Sequence, residues 1–537
     1  MMKRQKITKI YPLATSMAVL LTACGGGSDD TTSNSNAAAT TVSKQATASQ
    51  VCATLAGKAI GVSQITAADV KAAKGSVPSY CKVAAKLEPS VNFEMSFPDN
   101  WNGKLYYSGG GGYNGVVAQA DSGNLASALA QGYAVVASDS GHQGNPLDAS
   151  FALNNPVALR LFGNLSVPNV TSAAIDVIQA AYGAPPEKKY FEGCSNGGRE
   201  ALMTAQRFPN LFDGVIARAP ALNWAGQLAG AFNRNAKAFA APGGQLTPAK
   251  ITLLAKSVLN ACDTKDGVKD GLVSNPSACT SADFNPQVLR CANGADTGDS
   301  CLSDAQLNTI KSWTDPIDIG TAPNPVFHNA GWALSGNEDD PGAWPTWLTG
   351  ANGTPGWQFL FQDTTIKNII ARDPAVNSLT YPLEQNYNRL FSPAAEVDAT
   401  DPDLTPMKRR GAKLILWHGL SDSALSYKNT NEYYNAVASK VGGQQALSDF
   451  VRYYQAPGVN HCSGGPGADQ SNLLVALDSW VTKNTAPGTL AAQKVDSSGN
   501  TVLSRPLCPY PQYARYVGPA NDDNAAKQAS NFVCTNP

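Results

Sequence analysis

The sequence predicts an α/β fold: a parallel sheet with helices on both faces, carrying a large inserted domain. Three features predict it. Short apolar strands alternate with helical segments through roughly the first 220 residues, the pattern of strands buried on both sides. One of those strands runs into a glycine-flanked turn and then a helix, at Gly193-Cys194-Ser195-Asn196-Gly197. Past about Asn223 the alternation is lost until about Pro406, Trp, Pro, Asn and Gly become frequent, and strands then resume. A chain of 537 residues is too long for one compact core, so two domains, interleaved in sequence, are expected.

The start of the chain reads as an address. Lys3, Arg4, Lys6 and Lys9 precede a short apolar run, residues 13–21, too short to span a bilayer. Leu21-Thr22-Ala23-Cys24 resembles a bacterial lipoprotein cleavage box with Cys24 as the lipidated residue; an ordinary signal peptide that contains a cysteine is the alternative. Gly25 after it, by likeness to sorted lipoproteins, favours the outer membrane. The expectation is export from a Gram-negative cell, as an outer-membrane lipoprotein or a periplasmic or extracellular protein, with membrane contact only through Cys24. Residues 1–23 are the signal. Residues 24–50 are Gly, Ser, Thr, Asn and Ala with little apolar bulk, a flexible tether. The core is then 51–222 and 406–537, and the insertion, a lid, 223–405. Net charge is −1 and no basic run follows the N-terminal one, so nucleic-acid binding has no electrostatic footprint.

Eleven cysteines are present. Without Cys24 an even number remains, as suits an oxidising compartment. CxxC pairs are absent, which argues against zinc. Proximity in sequence suggests Cys52–Cys81, Cys262–Cys279, Cys291–Cys301 and Cys508–Cys534. Cys194 and Cys462 are left as partners by elimination, though the sequence permits many other connectivities.

In chain order, residues 103–107 form a strand that enters the glycine run 109–112, where backbone amides can approach a ligand closely. Gly111 or Gly112 is a candidate oxyanion donor there, unless the loop is only a flexible surface turn. Residues 133–137 form the next strand, ending near His142, which precedes the candidate nucleophile and is given a structural hydrogen-bonding role. A helix over 172–182 leads to the strand ending at Tyr190 and Phe191. The following G-x-S-x-G is the sequence of a nucleophile elbow, with Ser195 lifted on a strained turn and the N–H of Asn196 facing a developing oxyanion. In isolation Ser195 could equally be a helix cap. Ala201, Leu202, Ala205 and Phe208 keep helical spacing until Pro209. Residues 214–221 are the next strand and its exit.

In the lid, Trp313, Trp332, Trp344, Trp347, Trp357, Phe359 and Phe361 cluster; most belong to its core, and one or two are expected to line a pocket. Asp263, Asp266 and Asp270 share a glycine-containing loop that suits a hard cation, with the carbonyls of Val268 and Leu272 able to complete the shell; a solvated acidic turn is the alternative reading. Residues 413–419 are a late strand whose exit carries Asp422. Residues 450–454 are the last, and its loop carries His461-Cys462. The order Ser195, Asp422, His461 is that of α/β-hydrolases. Asp449 precedes a strand and competes poorly for the acid; His418 reads as a packing or supporting residue.

Cys194-Ser195, Asp422 and His461-Cys462 together resemble the tannase and feruloyl esterase family, over nearly all of the chain after the tether. That resemblance implies an α/β-hydrolase core with a large inserted lid domain, a bridge between Cys194 and Cys462, and a structural Ca2+ held by Asp263, Asp266, Val268, Asp270 and Leu272. It implies a serine carboxylesterase acting on small aromatic esters or ester-decorated plant polymers, of feruloyl, hydroxycinnamoyl or galloyl type, through an acyl-enzyme. Family members that hydrolyse mono(2-hydroxyethyl) terephthalate share the layout and give the alternative substrate. They grip its carboxylate with a lid arginine, and no arginine lies between Trp332 and Ile370 here. A non-catalytic calcium- or glycan-binding surface lipoprotein is the reading of another class; it requires a broken triad, and all three positions are filled.

Overall fold

The computed structural model describes residues 46–537. The signal segment, Cys24 and nearly all of the tether lie outside them. The described residues belong to one compact unit.

Among the described residues the main sheet has ten strands. These are β1 (Ala59–Ile60), β2 (Ser63–Lys71), β3 (Tyr80–Leu87), β4 (Val91–Pro98), β5 (Lys104–Ser108), β6 (Ala134–Ser138), β7 (Lys188–Ser195) and β8 (Gly214–Pro220) and, beyond a small hairpin of β9 (Ile317–Ile319) and β10 (Phe327–Asn329), β11 (Lys413–Gly419) and β12 (Val451–Ala456). Their order is β1-β2-β3-β4-β6-β5-β7-β8-β11-β12. From β6 through β12 neighbours are parallel. From β1 through β4, and between β4 and β6, they are antiparallel. The expectation of a parallel sheet is thus corrected to a mixed one. Val91, Phe93, Met95 and Phe97 alternate with polar or small residues and are all buried, the period-two pattern of a meander strand; antiparallel neighbours need only tight turns, so no helices separate them.

Alternation also explains the two layers. Leu105, Tyr107 and Phe191 pack on one face of the sheet with Val170 and Leu202. Tyr106, Tyr190 and Trp417 pack on the other with Leu477 and Trp480. The helices of the first half are α1 (Ala48–Leu55), α2 (Gly123–Ala130), α3 (Pro156–Arg160), α4 (Ser166–Tyr182) and α5 (Asn196–Arg207). α4 starts at Ser166 rather than 172 because Val167 and Val170 continue its buried stripe, and it runs on directly from a π-helical turn over Leu161–Leu165. It stops at Gly183 in the left-handed conformation.

The segment between β8 and β11 is mostly helical and has its own apolar centre, in which Trp313 stacks on Trp332 with ring centroids 4.5 Å apart and meets Trp344 at 5.2 Å. The same cluster takes in Tyr113, Ala221, Ala424 and Leu425, from loops that leave the carboxyl ends of β5, β8 and β11. The insertion therefore covers that edge of the sheet. Two antiparallel hairpins, β13 (Leu490–Val495) with β14 (Thr501–Leu507) and β15 (Tyr513–Tyr516) with β16 (Phe532–Thr535), close the chain. Five disulfides join Cys52–Cys81, Cys194–Cys462, Cys262–Cys279, Cys291–Cys301 and Cys508–Cys534.

Candidate active site

Ser195 ends β7 and caps α5 with φ 63° and ψ −121°, a conformation that L-residues rarely hold and that strained elbows do. Its neighbours must be glycine for lack of space. A Cβ on Gly193 would lie 2.4 Å from the Gly197 carbonyl carbon, and one on Gly197 would lie 2.9 Å from the Gly110 carbonyl oxygen. The glycine run after β5 and the elbow thus touch backbone to backbone. β7 runs on through Ser195, beyond the expected end at Phe191, because β8 pairs with it as far as Pro220.

The Cys194–Cys462 bridge brings together segments 268 residues apart, with Cα atoms separated by 5.9 Å. Ser195 and His461 are the chain neighbours of these two cysteines. His461 Nδ1 meets Asp422 Oδ2 at 2.8 Å. Since the carboxylate accepts, Nδ1 carries the proton and Nε2 is left as the basic nitrogen. No hydrogen bond links Ser195 Oγ to His461 in this structure; such contacts often tighten only when substrate arrives. Asp422 is fully buried, and its other oxygen accepts the N–H groups of Ala424 and Leu425, each at 2.8 Å. Burial opposes its ionisation, but the His461 charge and hydrogen bonds from His418 and His461 hold it well below the usual carboxylate range.

His418 is buried on β11. Its Nε2 faces two acceptors, Asp422 Oδ2 at 3.2 Å and the Leu425 carbonyl at 3.0 Å, so that nitrogen is the protonated one; Nδ1 lies 2.9 Å from the Thr430 hydroxyl. His142 departs from expectation. It stacks on Phe151, centroids 3.6 Å apart and planes at 8°, and neither ring nitrogen has a hydrogen-bond partner of normal geometry. Its role is packing, because the loop after β6 turns it into the aromatic group around Phe151 and Phe162.

Ser195 opens into an apolar slot walled by Tyr113, Trp224, Leu228, Phe232, Trp347 and Phe361, with Asn196 and Gly112 beside the serine. Gly112 N–H has no hydrogen-bond partner among the described residues, and Asn196, first in its helix, has no intrahelical acceptor. Gly111 is exposed and does not line the slot. Trp347 also stands edge-on to the His461 ring, with centroids 5.1 Å apart and planes at 83°. Of the other lid aromatics, Trp313, Trp332 and Trp344 are core and Trp357 is half exposed against Trp347. The slot holds about 30 Å³ of free space, room for a water or two.

With this geometry, the chain matches the family described as tannase and feruloyl esterase over residues 75–535. It belongs to that family. The chain is 32% identical to mono(2-hydroxyethyl) terephthalate hydrolase of Piscinibacter sakaiensis, the match covering 88% of this chain and 87% of that one. It is 30% identical to probable feruloyl esterase B-2 of Aspergillus terreus, covering 83% and 85%. In fold it is similar to the crystal structure of feruloyl esterase B from Aspergillus oryzae, with a TM-score of 0.79 at 22% identity, over 92% of this chain and all of that one. The protein is a carboxylic ester hydrolase with an α/β-hydrolase fold.

The acidic loop that the family resemblance marks for calcium lies away from the slot. Asp263 accepts the N–H groups of Asp270 at 3.1 Å and Gly271 at 3.0 Å, and Asp270 pairs with Arg505 of β14. Among the described residues no three His, Cys, Asp or Glu side chains close into a metal cage. Asp266, however, is buried, and its Oδ2 has no hydrogen-bond partner of normal geometry among the described residues. Burial, with repulsion from Asp270 and Asp263, pushes it up to about 7. Val268 and Leu272 lie on the same loop, and Leu272 packs against Gly458, which begins the turn to His461.

Proposed function

We propose that this family member hydrolyses esters of small aromatic acids, of feruloyl, hydroxycinnamoyl or galloyl type, by way of an acyl-enzyme at Ser195. The observation that carries this reading is a strained serine at the mouth of an aromatic slot, tied by one disulfide to a histidine that an ionised aspartate holds in the required tautomer. Ser195 Oγ attacks the ester carbonyl while His461 Nε2 takes its proton. The imidazolium that forms is stabilised by Asp422, and it returns the proton to the leaving alcohol; water then repeats the sequence on the acyl-enzyme. The N–H groups of Asn196 and Gly112 receive the oxyanion, Gly112 being preferred to Gly111 because it borders the slot. A flat ring between Trp347, Phe361 and Trp224 presents its carboxyl carbon to Ser195.

A terephthalate monoester is the second reading, favoured by the 32% identity to the Piscinibacter enzyme and disfavoured by the lack of arginine between Trp332 and Ile370. Methyl ferulate, methyl gallate and mono(2-hydroxyethyl) terephthalate given to the purified protein discriminate the two. The aryl-ester reading expects the first or second to show the highest kcat/KM; a preference for the third would replace it.

A structural calcium ion is part of the proposal. The bare, buried Asp266 oxygen and the crowding of three carboxylates fit a hard cation, with Asp263, Asp266 and Asp270 as carboxylate ligands and Val268 and Leu272 as carbonyl ligands. The ion would offset the repulsion and brace the loop that touches Gly458. Five disulfides support export to an oxidising compartment, and lipidation at Cys24 is proposed as the anchor there.

A further inference from the structure

Glu200 is a carboxylate in the wrong kind of place. It sits one turn into α5 and is 1% exposed. Both of its oxygens are engaged. Oε2 accepts the Gly110 N–H at 3.1 Å. Oε1 accepts Asn114 Nδ2 at 2.8 Å, Asn196 Nδ2 at 3.2 Å and the Ser140 hydroxyl at 3.4 Å. Asn196 Nδ2 also reaches Asn114 Oδ1 at 3.2 Å, and its Oδ1 accepts Arg199 Nε at 2.7 Å. Arg199 is itself locked by the carbonyls of Phe162, Gly163 and Val397. Gly110 and Asn114 flank Gly112 on the glycine run, while Asn196 follows Ser195 on the elbow. One carboxylate therefore holds both pieces of backbone that bear the unpaired N–H groups.

We propose that Glu200 is the positioning residue of the oxyanion pocket: it fixes the distance between the Gly112 and Asn196 N–H groups by binding Gly110 and Asn114 on one side and Asn196 on the other. This rests on the assignment of those two amides as the oxyanion donors. A buried anion suits the task because four donors converge on it. A neutral amide at the same position offers one acceptor oxygen and brings two hydrogens toward groups that are donors themselves. Glu200→Gln therefore loosens the glycine run from the elbow while leaving His461 and the Trp347 and Phe361 side of the slot in place.

The test compares p-nitrophenyl benzoate with p-nitrophenyl thionobenzoate, in which C=S replaces C=O. Sulfur is a weak hydrogen-bond acceptor, so the thionoester draws little from aligned N–H donors, while both esters need the same serine and histidine. Wild type is expected to favour the oxoester strongly in kcat/KM. In Glu200→Gln the oxoester value should fall by about 10- to 100-fold and the thionoester value by less than about threefold, since misplacement by about 1 Å costs on the order of 100-fold. Equal losses on both esters, or no loss on either, overturn the proposal. A wild type that does not discriminate the two esters overturns the oxyanion assignment beneath it. If Glu200→Gln does not fold, Asn114→Gly serves, because Asn114 has φ 60° and glycine keeps that backbone while removing the amide; the same ratio is read and the same outcomes decide.

Discussion

His418 and His461 converge on one oxygen: Asp422 Oδ2 receives His461 Nδ1 at 2.8 Å and His418 Nε2 at 3.2 Å. The aspartate, on the exit of β11, thereby meets a residue four positions earlier on the strand itself. With Ala424 and Leu425 donating to the other oxygen, the carboxylate cannot rotate away from the imidazole it orients.

Asp422→Asn keeps the shape and reverses the hydrogen-bond logic, since an amide nitrogen facing Nδ1 favours the wrong tautomer. Turnover should fall by about 10⁴-fold with KM little changed, as expected when an orienting aspartate is neutralised. His418→Asn, which leaves Asp422 charged but shortens the side chain that meets it, should cost about tenfold in kcat, the worth of about one hydrogen bond. Steady-state kinetics on a p-nitrophenyl ester measure both; full activity in His418→Asn would show that the second histidine only packs.

The disulfide has a mechanical role. Cys194→Ala with Cys462→Ala should lose about 100-fold or more of turnover while circular dichroism stays native, because Ser195 and His461 are then free to drift by about 1 Å. Near-normal turnover in the folded double variant would refute this.

Chelation probes the acidic loop. EGTA treatment should lower Tm, and added Ca2+ should restore it. Activity should fall in parallel, since Leu272 packs on the turn before His461. An unchanged Tm after exhaustive chelation would remove calcium from the account.

Trp347 both walls the slot and abuts His461. Trp347→Ala should raise KM for an aryl ester by about tenfold, the loss of a buried aromatic contact of about 1–1.5 kcal/mol, and should raise it less for p-nitrophenyl acetate, whose acyl group does not reach that wall. Equal changes for both esters would place the aromatic acid elsewhere.

Asp398 gives a pH signature distinct from catalysis. Burial pushes it up to about 7, against a hydrogen bond from Ala225 and the charges of Arg199 and Arg207. A folded pKa above the unfolded value of about 3.9 means that its contribution to stability is complete below about pH 4 and is lost as pH rises through about 7. Asp398→Asn, which keeps an acceptor for Ala225, should therefore gain Tm relative to the parent between pH 5 and pH 8. Parallel Tm curves across that range would contradict the assignment.

Much of this architecture was legible in the chain. The elbow could be read because a strained turn leaves glycines at 193 and 197, and β8 and β11 because parallel strands are continuous apolar runs. The antiparallel meander over 59–98 was missed, although the alternation of Val91, Phe93, Met95 and Phe97 carries it. His418 reads from the sequence as a packing or supporting residue, and its approach to Asp422 depends on how β11 exits. His142 looked like a hydrogen-bonding residue because nothing in the sequence shows that Phe151 will stack on it. The packing of Leu272 on Gly458, and Glu200's hold on two distant loops, are tertiary facts with no local pattern.

Hydrolysis through an acyl-enzyme requires that Ser195 become acylated. Intact-mass and peptide mapping of the protein quenched during turnover of p-nitrophenyl benzoate should show one benzoyl group on the peptide containing Ser195, absent in Ser195→Ala together with its turnover. An acyl group on another residue, or a Ser195→Ala variant that still turns the ester over, would contradict it.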